Sequence, residues 1–213
     1  MPMIVNIYQA VLTGKRREIQ ALVQSALDSG MAAETILNEG LIAAMSELGD
    51  RFKEGKVYIP EVMLAGKTMT MATEVLKPHL VAEGQKSAVR VVLGTVQGDQ
   101  HDIGKSLVKM MMEGQGIQVI DLGTNVSPSQ FIDTAVKENC TIVACSALLT
   151  TTMPVMADVV KAAEAAGIRN QVKILIGGAP VTAAYAEKIG ADGYAPDAKS
   201  AADAARCLAS QIG

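Results

Sequence analysis

Up to about residue 85 the apolar positions follow a helical period. Ile19, Leu22, Val23, Ala26 and Leu27 fall at i, i+3, i+4, i+7 and i+8, one face of an amphipathic helix. Gly30 ends that stripe. A second stripe, Leu37, Leu41, Met45, Leu48 and Phe52, runs to a turn at Glu54-Gly55-Lys56. Pro60 suits the first position of a further helix, where its missing N–H would be unpaired anyway. Met63, Met69, Leu76 and Leu80 follow along that helix. The pattern predicts a bundle of roughly four or five short helices over residues 1–85.

After a short polar, Gly-containing stretch at residues 81–87, read as a linker, the pattern changes. Apolar runs at 89–96, 117–122, 141–147 and 172–177 read as buried strands. Helical stretches at 103–114, 128–138, 152–166 and 180–189 separate them, and a short strand at 193–195 with a helix at 199–212 closes the chain. Strands alternating with helices imply right-handed βαβ units and a parallel sheet covered on both faces. The expected fold class is α/β: an N-terminal helical bundle over 1–85, then a Rossmann-like (flavodoxin-like) domain over 88–213.

Composition refines this picture in few respects. With no Trp, two Phe and four Tyr, packing falls to Ala, Met, Val, Leu and Ile, and the 12 methionines read as core filler. A net charge of −3 gives no electrostatic reason to expect nucleic acid as partner. No apolar run reaches the roughly 18 residues of a membrane helix. The basic cluster near the start follows the apolar residues, the wrong order for a signal peptide. Cys140, Cys145 and Cys207 form no CxxC pair, which fits reduced thiols and a cytoplasmic setting. Cys140 and Cys145 read as small residues in or beside a core strand.

In open α/β sheets, ligands bind beyond the carboxyl ends of the strands. Three polar or Gly-rich clusters fall there: Gly98–Gly104 after the first strand, Ser146–Thr152 after the third, and Gly177-Gly178-Ala179-Pro180 after the fourth. The imidazole of His101 is a good ligand for a transition metal such as cobalt, and Asp99 could take its other N–H. Gly104 would let a bulky group approach the next helix closely. Plainer readings stand beside these. Asp99 and Asp102 could flank a helix start, with His101 a surface residue like His79. Ser146 could cap a strand end, the run Thr150–Thr152 could be helix N-cap material, and Gly177-Gly178 could be only a turn. Phe52, Ile59 and Val62 could be bundle core.

Taken together, Asp99-x-His101-x-x-Gly104, Ser146-x-Leu148 and Gly177-Gly178 form a spaced set. There are 41 residues between Gly104 and Ser146 (105–145) and 28 between Leu148 and Gly177 (149–176). This resembles the signature of the B12-binding domains of cobalamin-dependent methionine synthase, corrinoid methyltransferase proteins and some B12-dependent mutases. Residues 49–56, Gly-Asp-Arg-Phe-Lys-Glu-Gly-Lys, with Ile59-Pro60-Glu61-Val62, are similar to the helical cap of the methyl-carrying members. Nearly the whole chain is covered by the resemblance to small corrinoid proteins of methyltransferase systems.

That resemblance implies cobalamin (methylcobalamin or another corrinoid) bound base-off, its nucleotide tail in a slot of the sheet and His101 as lower ligand to cobalt. Asp99 would hydrogen-bond His101 and Thr152 would extend the relay, where the family often has Ser. Asp102 and Ile103 of the same loop would also meet the cofactor. Ser146 and Thr150 would line the tail slot beside Leu148, while Gly104, Gly177 and Gly178 leave room for the tail and the corrin edge. Phe52, Ile59 and Val62 would cover the methyl-bearing face, with residues 81–87 as the hinge. The implied function is methyl carriage between a substrate:corrinoid methyltransferase and a corrinoid:acceptor methyltransferase, with a reductive activase as third partner. The chain would then be a carrier subunit, not a stand-alone catalyst, with no nucleic-acid or membrane partner. Alternatives are the small subunit of a B12-dependent mutase, a B12-based sensor, and a receiver-type domain unrelated to B12. The cap speaks against the mutase. The methyl donor is not legible.

Overall fold

Every amphipathic stripe of the first half becomes a helix in the computed structural model, which describes residues 2–82 and 89–212. The chain falls into two compact units, Met1–Ala88 with Gly114–Gly116, and Val89–Glu113 with Ile117–Gly213. From residue 83 on, the expected linker lies outside the described residues.

The first unit opens with α1 (Pro2–Leu12), which the periodicity did not reveal, and α2 (Arg16–Asp28), whose Ile19, Val23 and Ala26 are buried. The short α3 (Ala33–Thr35) continues through a π-helical segment (Ile36–Ile42) into α4 (Ala43–Lys53). Residues spaced by four drift off one face of an α-helix of about 3.6 residues per turn. The wider π turn suits the spacing of Leu37, Leu41 and Met45, all buried.

α5 (Ile59–Ala82) is the single helix expected from Pro60 onward, 24 residues long. Pro60 is its second residue, and Pro78 sits inside it without ending it. The buried stripe is Val62, Ala65, Met69, Ala72, Leu76 and Leu80, whereas Met63 is exposed. Alanines carry two of those six positions, so larger residues alone put Met63 on the stripe.

In the second unit the strands are β1 (Arg90–Thr95), β2 (Gln118–Asp121), β3 (Ile142–Ser146), β4 (Lys173–Gly177) and β5 (Gly193–Ala195). The helices between and after them are α6 (Ile103–Gly114), α7 (Pro128–Lys137), α8 (Pro154–Ala165), α9 (Ala183–Ile189) and α10 (Ala198–Ala209). The sheet is parallel throughout, in the order β2-β1-β3-β4-β5. The middle strands are buried on both faces, which explains their unbroken apolar runs. Val92, Val143 and Ile174 pack in one core with Phe131, Met156 and Val159 from the helices, and Cys140 and Cys145 belong to that core. Cys207 is exposed. A Ser127–Gln130 capping box and the N-caps Thr182 and Asp197 start α7, α9 and α10. No helix among the described residues is long and apolar enough to cross a membrane.

Register brings the three clusters together. Thr95 pairs with Ser146, and Ser146 with Gly177, so the ends of β1, β3 and β4 lie side by side. The chain leaves β1 toward β2 on one side and returns to β3 on the other. The loops after β1 and β3 therefore flank the switch point where such sheets bind ligands.

Candidate functional site

Asp99 is the organising side chain of this edge. It is 0% exposed, and its carboxylate accepts five hydrogen bonds. Oδ1 takes the His101 backbone N–H at 3.1 Å and lies 2.6 Å from His101 Nδ1. Oδ2 takes the backbone N–H groups of Leu148 at 2.8 Å and Leu149 at 3.2 Å, and the Thr152 hydroxyl at 3.0 Å. Burial pushes the Asp99 pKa up. The Leu148 N–H, the ring and backbone of His101 and the Thr152 hydroxyl outweigh it, holding the carboxyl well below the usual carboxylate range.

An ionised Asp99 dictates the histidine tautomer. Nδ1 carries a proton toward the carboxylate, and Nε2 has no hydrogen-bond partner among the described residues. The His101 side chain is 50% exposed. Its carbonyl accepts the hydroxyl of the buried Thr95 at 2.9 Å, which anchors the loop to β1.

The loops that carry and flank this imidazole expose large apolar side chains beside the polar Gln100, Asp102 and Thr150. Ile103 is 71% exposed, Leu148 44% and Leu149 41%, an unusual density of large exposed hydrophobic groups for one sheet edge. Asp102 is tied to Lys105 at 3.0 Å and accepts the Ser106 hydroxyl, so it braces the start of α6. Lys105, almost fully buried, also pairs with Asp121 at the end of β2.

The remaining expected positions divide. Nothing lies within 4 Å of where a Gly104 Cβ would stand, so a bulky group can approach there. Gly177 and Gly178 do not leave such room: a Cβ would meet the Ala195 carbonyl oxygen at 3.0 Å and the Ala147 carbonyl oxygen at 1.8 Å. Backbone, not ligand space, requires those two glycines. Ser146 is half-buried, and its hydroxyl makes no hydrogen bond with the described residues. Thr150 is exposed in the turn before α8; the run Thr150–Thr152 does not cap that helix, whose N-cap is Met153. In the first unit Phe52 is half-buried, Ile59 exposed and Val62 fully buried. Val62 thus belongs to the packed stripe of α5, a correction to its place among the covering residues.

The sequence reading missed Thr95, Lys105 and the loop after β2. That loop, Gly123-Thr124-Asn125, was a polar signal at a fourth strand end and was passed over. Asn125 donates its N–H to the Asp99 carbonyl at 3.0 Å and accepts the Gly98 N–H at 2.8 Å.

Chemically, this is a single imidazole nitrogen backed by a carboxylate, with Ile103, Leu148 and Leu149 exposed on the same loops. Among the described residues no group of three His, Cys, Asp or Glu could hold a bare ion. One imidazole suits a metal that arrives with its own equatorial ligands, and the open space at Gly104 with the flanking leucines suits a broad apolar ring. These residues fit a corrinoid.

A sheet-edge cofactor-binding protein is the class that fold and site define. The B12 binding domain family matches residues 89–203, and a second B12 binding domain family matches residues 4–77. The chain belongs to the B12-binding corrinoid proteins, and its cofactor is a corrinoid. It is 42% identical to dimethylamine corrinoid protein 1 of Methanosarcina acetivorans over 201 residues, 93% of each chain. It is 33% identical to a corrinoid protein of Desulfitobacterium hafniense, over 96% of each. Among solved structures it is similar to a cobalamin-binding protein from Desulfitobacterium hafniense (TM-score 0.79, 30% identity, 99% of this chain and 98% of that one). It is also similar to a chain of the methanol:cobalamin methyltransferase complex of Methanosarcina barkeri (TM-score 0.84, 25% identity, 98% and 80%).

Proposed function

We propose that this protein carries a methyl group on a base-off corrinoid, with His101 Nε2 as lower ligand to cobalt. It would pass the group from a substrate-specific methyltransferase to a second methyltransferase that serves the acceptor. The observation that carries the reading is the half-exposed His101 ring, its Nδ1 2.6 Å from a buried carboxylate and its Nε2 without a hydrogen-bond partner among the described residues. The relatives named for dimethylamine support a methylated amine as the ultimate donor. A reductive activase is the third partner of this reading.

When bound, the corrinoid supplies a cobalt centre that accepts and releases a methyl group. The chain's residues set the environment for that exchange. Asp99 fixes the ring orientation through Nδ1. With a corrinoid bound, His101 Nε2 would be the atom held toward the metal, and Asp99 would hold the Nδ1 proton and steady the ring. The N–H groups of Leu148 and Leu149 and the Thr152 hydroxyl keep Asp99 ionised throughout. Ile103, Leu148 and Leu149 exclude water from the lower face. Ser146, Thr150 and the space at Gly104 receive the nucleotide tail. Phe52 and Ile59 would form part of the cover of the methyl-bearing face.

The test is spectroscopic. Protein reconstituted with cobalamin should show nitrogen superhyperfine coupling from His101 in the Co(II) electron paramagnetic resonance spectrum, and His101→Ala should abolish it. Once reduced to Co(I) by the activase or a low-potential reductant, the same protein should accept methyl groups when supplied with dimethylamine and the matching methyltransferase. A colourless protein, or coupling unchanged in His101→Ala, rejects the reading.

A further inference from the structure

Asn125 stands out by its backbone. Among the described residues only Asn125 (φ 58°) and Asn139 (φ 50°) are non-glycines in the left-handed region. Asn139 has an ordinary reason: it follows the C-cap Glu138 of α7, where helices commonly turn left-handed. Asn125 ends no helix. It lies between β2 and α7, and its conformation must be explained by what it holds.

It holds the histidine loop at two points. Its backbone N–H donates to the Asp99 carbonyl at 3.0 Å, and its side-chain Oδ1 accepts the Gly98 N–H at 2.8 Å. The Asp99 N–H itself goes to the Val96 carbonyl at 3.1 Å. The peptide groups on both sides of Asp99 are therefore pinned, which fixes the direction in which its carboxylate leaves the backbone. Next door, the Thr124 hydroxyl donates to Gln100 Oε1 at 3.0 Å, and Val126 pairs with the strand-end residues Thr95 and Val96. Only a residue that tolerates positive φ and carries a short acceptor meets both demands, which describes Asn and Asp.

We propose that Asn125 is a positioning residue for the lower ligand: it sets Asp99, and through Asp99 the His101 ring. The β2–α7 loop thus works as an outer brace on the coordinating loop, in addition to the Leu148–Thr152 turn that holds Asp99 from the β3 side. This inference rests on the reading of His101 as cobalt ligand.

Three variants of the full chain test it: Asn125→Ala loses both properties, Asn125→Gly keeps the backbone freedom and loses the acceptor, and Asn125→Asp keeps both. The readouts are absorption titration with hydroxocobalamin, the Co(II) nitrogen coupling, and thermal melting without corrinoid. Asn125→Ala should bind about ten-fold more weakly and show a reduced coupled fraction. Asn125→Gly should fall between it and the native protein, and Asn125→Asp should restore affinity and coupling. If Asn125→Ala does not fold, Asn125→Gly against Asn125→Asp carries the comparison. Native affinity and coupling in Asn125→Gly, or an Asn125→Asp as impaired as Asn125→Gly, overturns the proposal while leaving His101 as ligand. Absence of nitrogen coupling in the native protein instead removes the His101 reading, and this inference falls with it.

Discussion

The Thr152 hydroxyl donates to Asp99 Oδ2 at 3.0 Å, on the oxygen opposite the one that faces His101. The same hydroxyl lies 2.9 Å from the Leu149 carbonyl, and it has one proton to give. It shares that proton between the carboxylate and the turn that delivers the Leu148 and Leu149 N–H groups. Replacing Thr152 by Val keeps the shape and removes the donor beside a fully buried charge. Stability should fall by about 1–2 kcal/mol, whereas Thr152→Ser should stay close to the native value. Denaturant titration of both variants checks this, and a native-like Thr152→Val beside an impaired Thr152→Ser would mean that the methyl group, not the hydroxyl, is what matters.

The second carboxylate of the edge gives a pH dependence. Burial raises the Asp121 pKa. The Lys105 ammonium bonded to it, the Gly123 N–H at 2.9 Å and the charge of Lys109 outweigh that, so the group titrates below its ordinary 3.8. A depressed folded pKa means that the charged form favours the fold. The contribution is complete above 3.8 and is lost as pH falls through the lower folded value. Native protein should exceed Asp121→Asn in stability by about 1–2 kcal/mol near neutrality. That gap should narrow as pH drops below 3.8. A gap that stays constant on acidification would show that the charge is irrelevant.

Much of this edge was legible because a parallel sheet forces order on the chain. Strand ends must coincide in space, so clusters at Asp99–Gly104, Ser146–Thr152 and Gly177-Gly178 had to meet once the strands were recognised. The Asp99–His101 pair, two residues apart, was readable for the same reason. The brace from Asn125 was not. Its key features are a positive φ and a backbone N–H, and neither leaves a mark in residue type beyond one Asn in a polar loop. Val62 and Met63 were misjudged because Ala65 and Ala72 define the buried face of α5, and alanine is uninformative about burial. The closeness of the Ala147 carbonyl, which would stand 1.8 Å from a Cβ at position 178, depends on strand spacing that no local pattern encodes.

Thiol reactivity should follow burial. Burial pushes the Cys145 thiol far up, and it raises Cys140 as well, against the nearby Arg90 charge. Both lie in the sheet core, while Cys207 is exposed. Thiolate, not thiol, reacts with alkylating agents. Iodoacetamide at neutral pH should label Cys207 alone in the folded protein, with Cys140 and Cys145 joining only in denaturant. Peptide mass spectrometry reads the sites directly. Labelling of Cys145 in the folded state would contradict the packing of β3.

Gly104 and Gly178 belong to the same motif set yet should respond oppositely to alanine. At Gly178, φ is 131°, and the added Cβ would stand 1.8 Å from the Ala147 carbonyl oxygen. That carbonyl cannot yield freely, because the Ala147 N–H is bonded to the Gly177 carbonyl at 3.2 Å. Gly178→Ala should therefore lose about 3 kcal/mol or more of stability. At Gly104 the Cβ meets nothing, and the residue lies in the first turn of α6. Gly104→Ala should fold at least as stably as the native protein, since alanine is the better helix former by up to about 1 kcal/mol. If the open space there receives the cofactor, the same methyl group should weaken cobalamin binding by about ten-fold. Melting without corrinoid and titration with it separate the two effects. A Gly104→Ala protein that binds cobalamin as the native one does would show that the space is not where the cofactor lies.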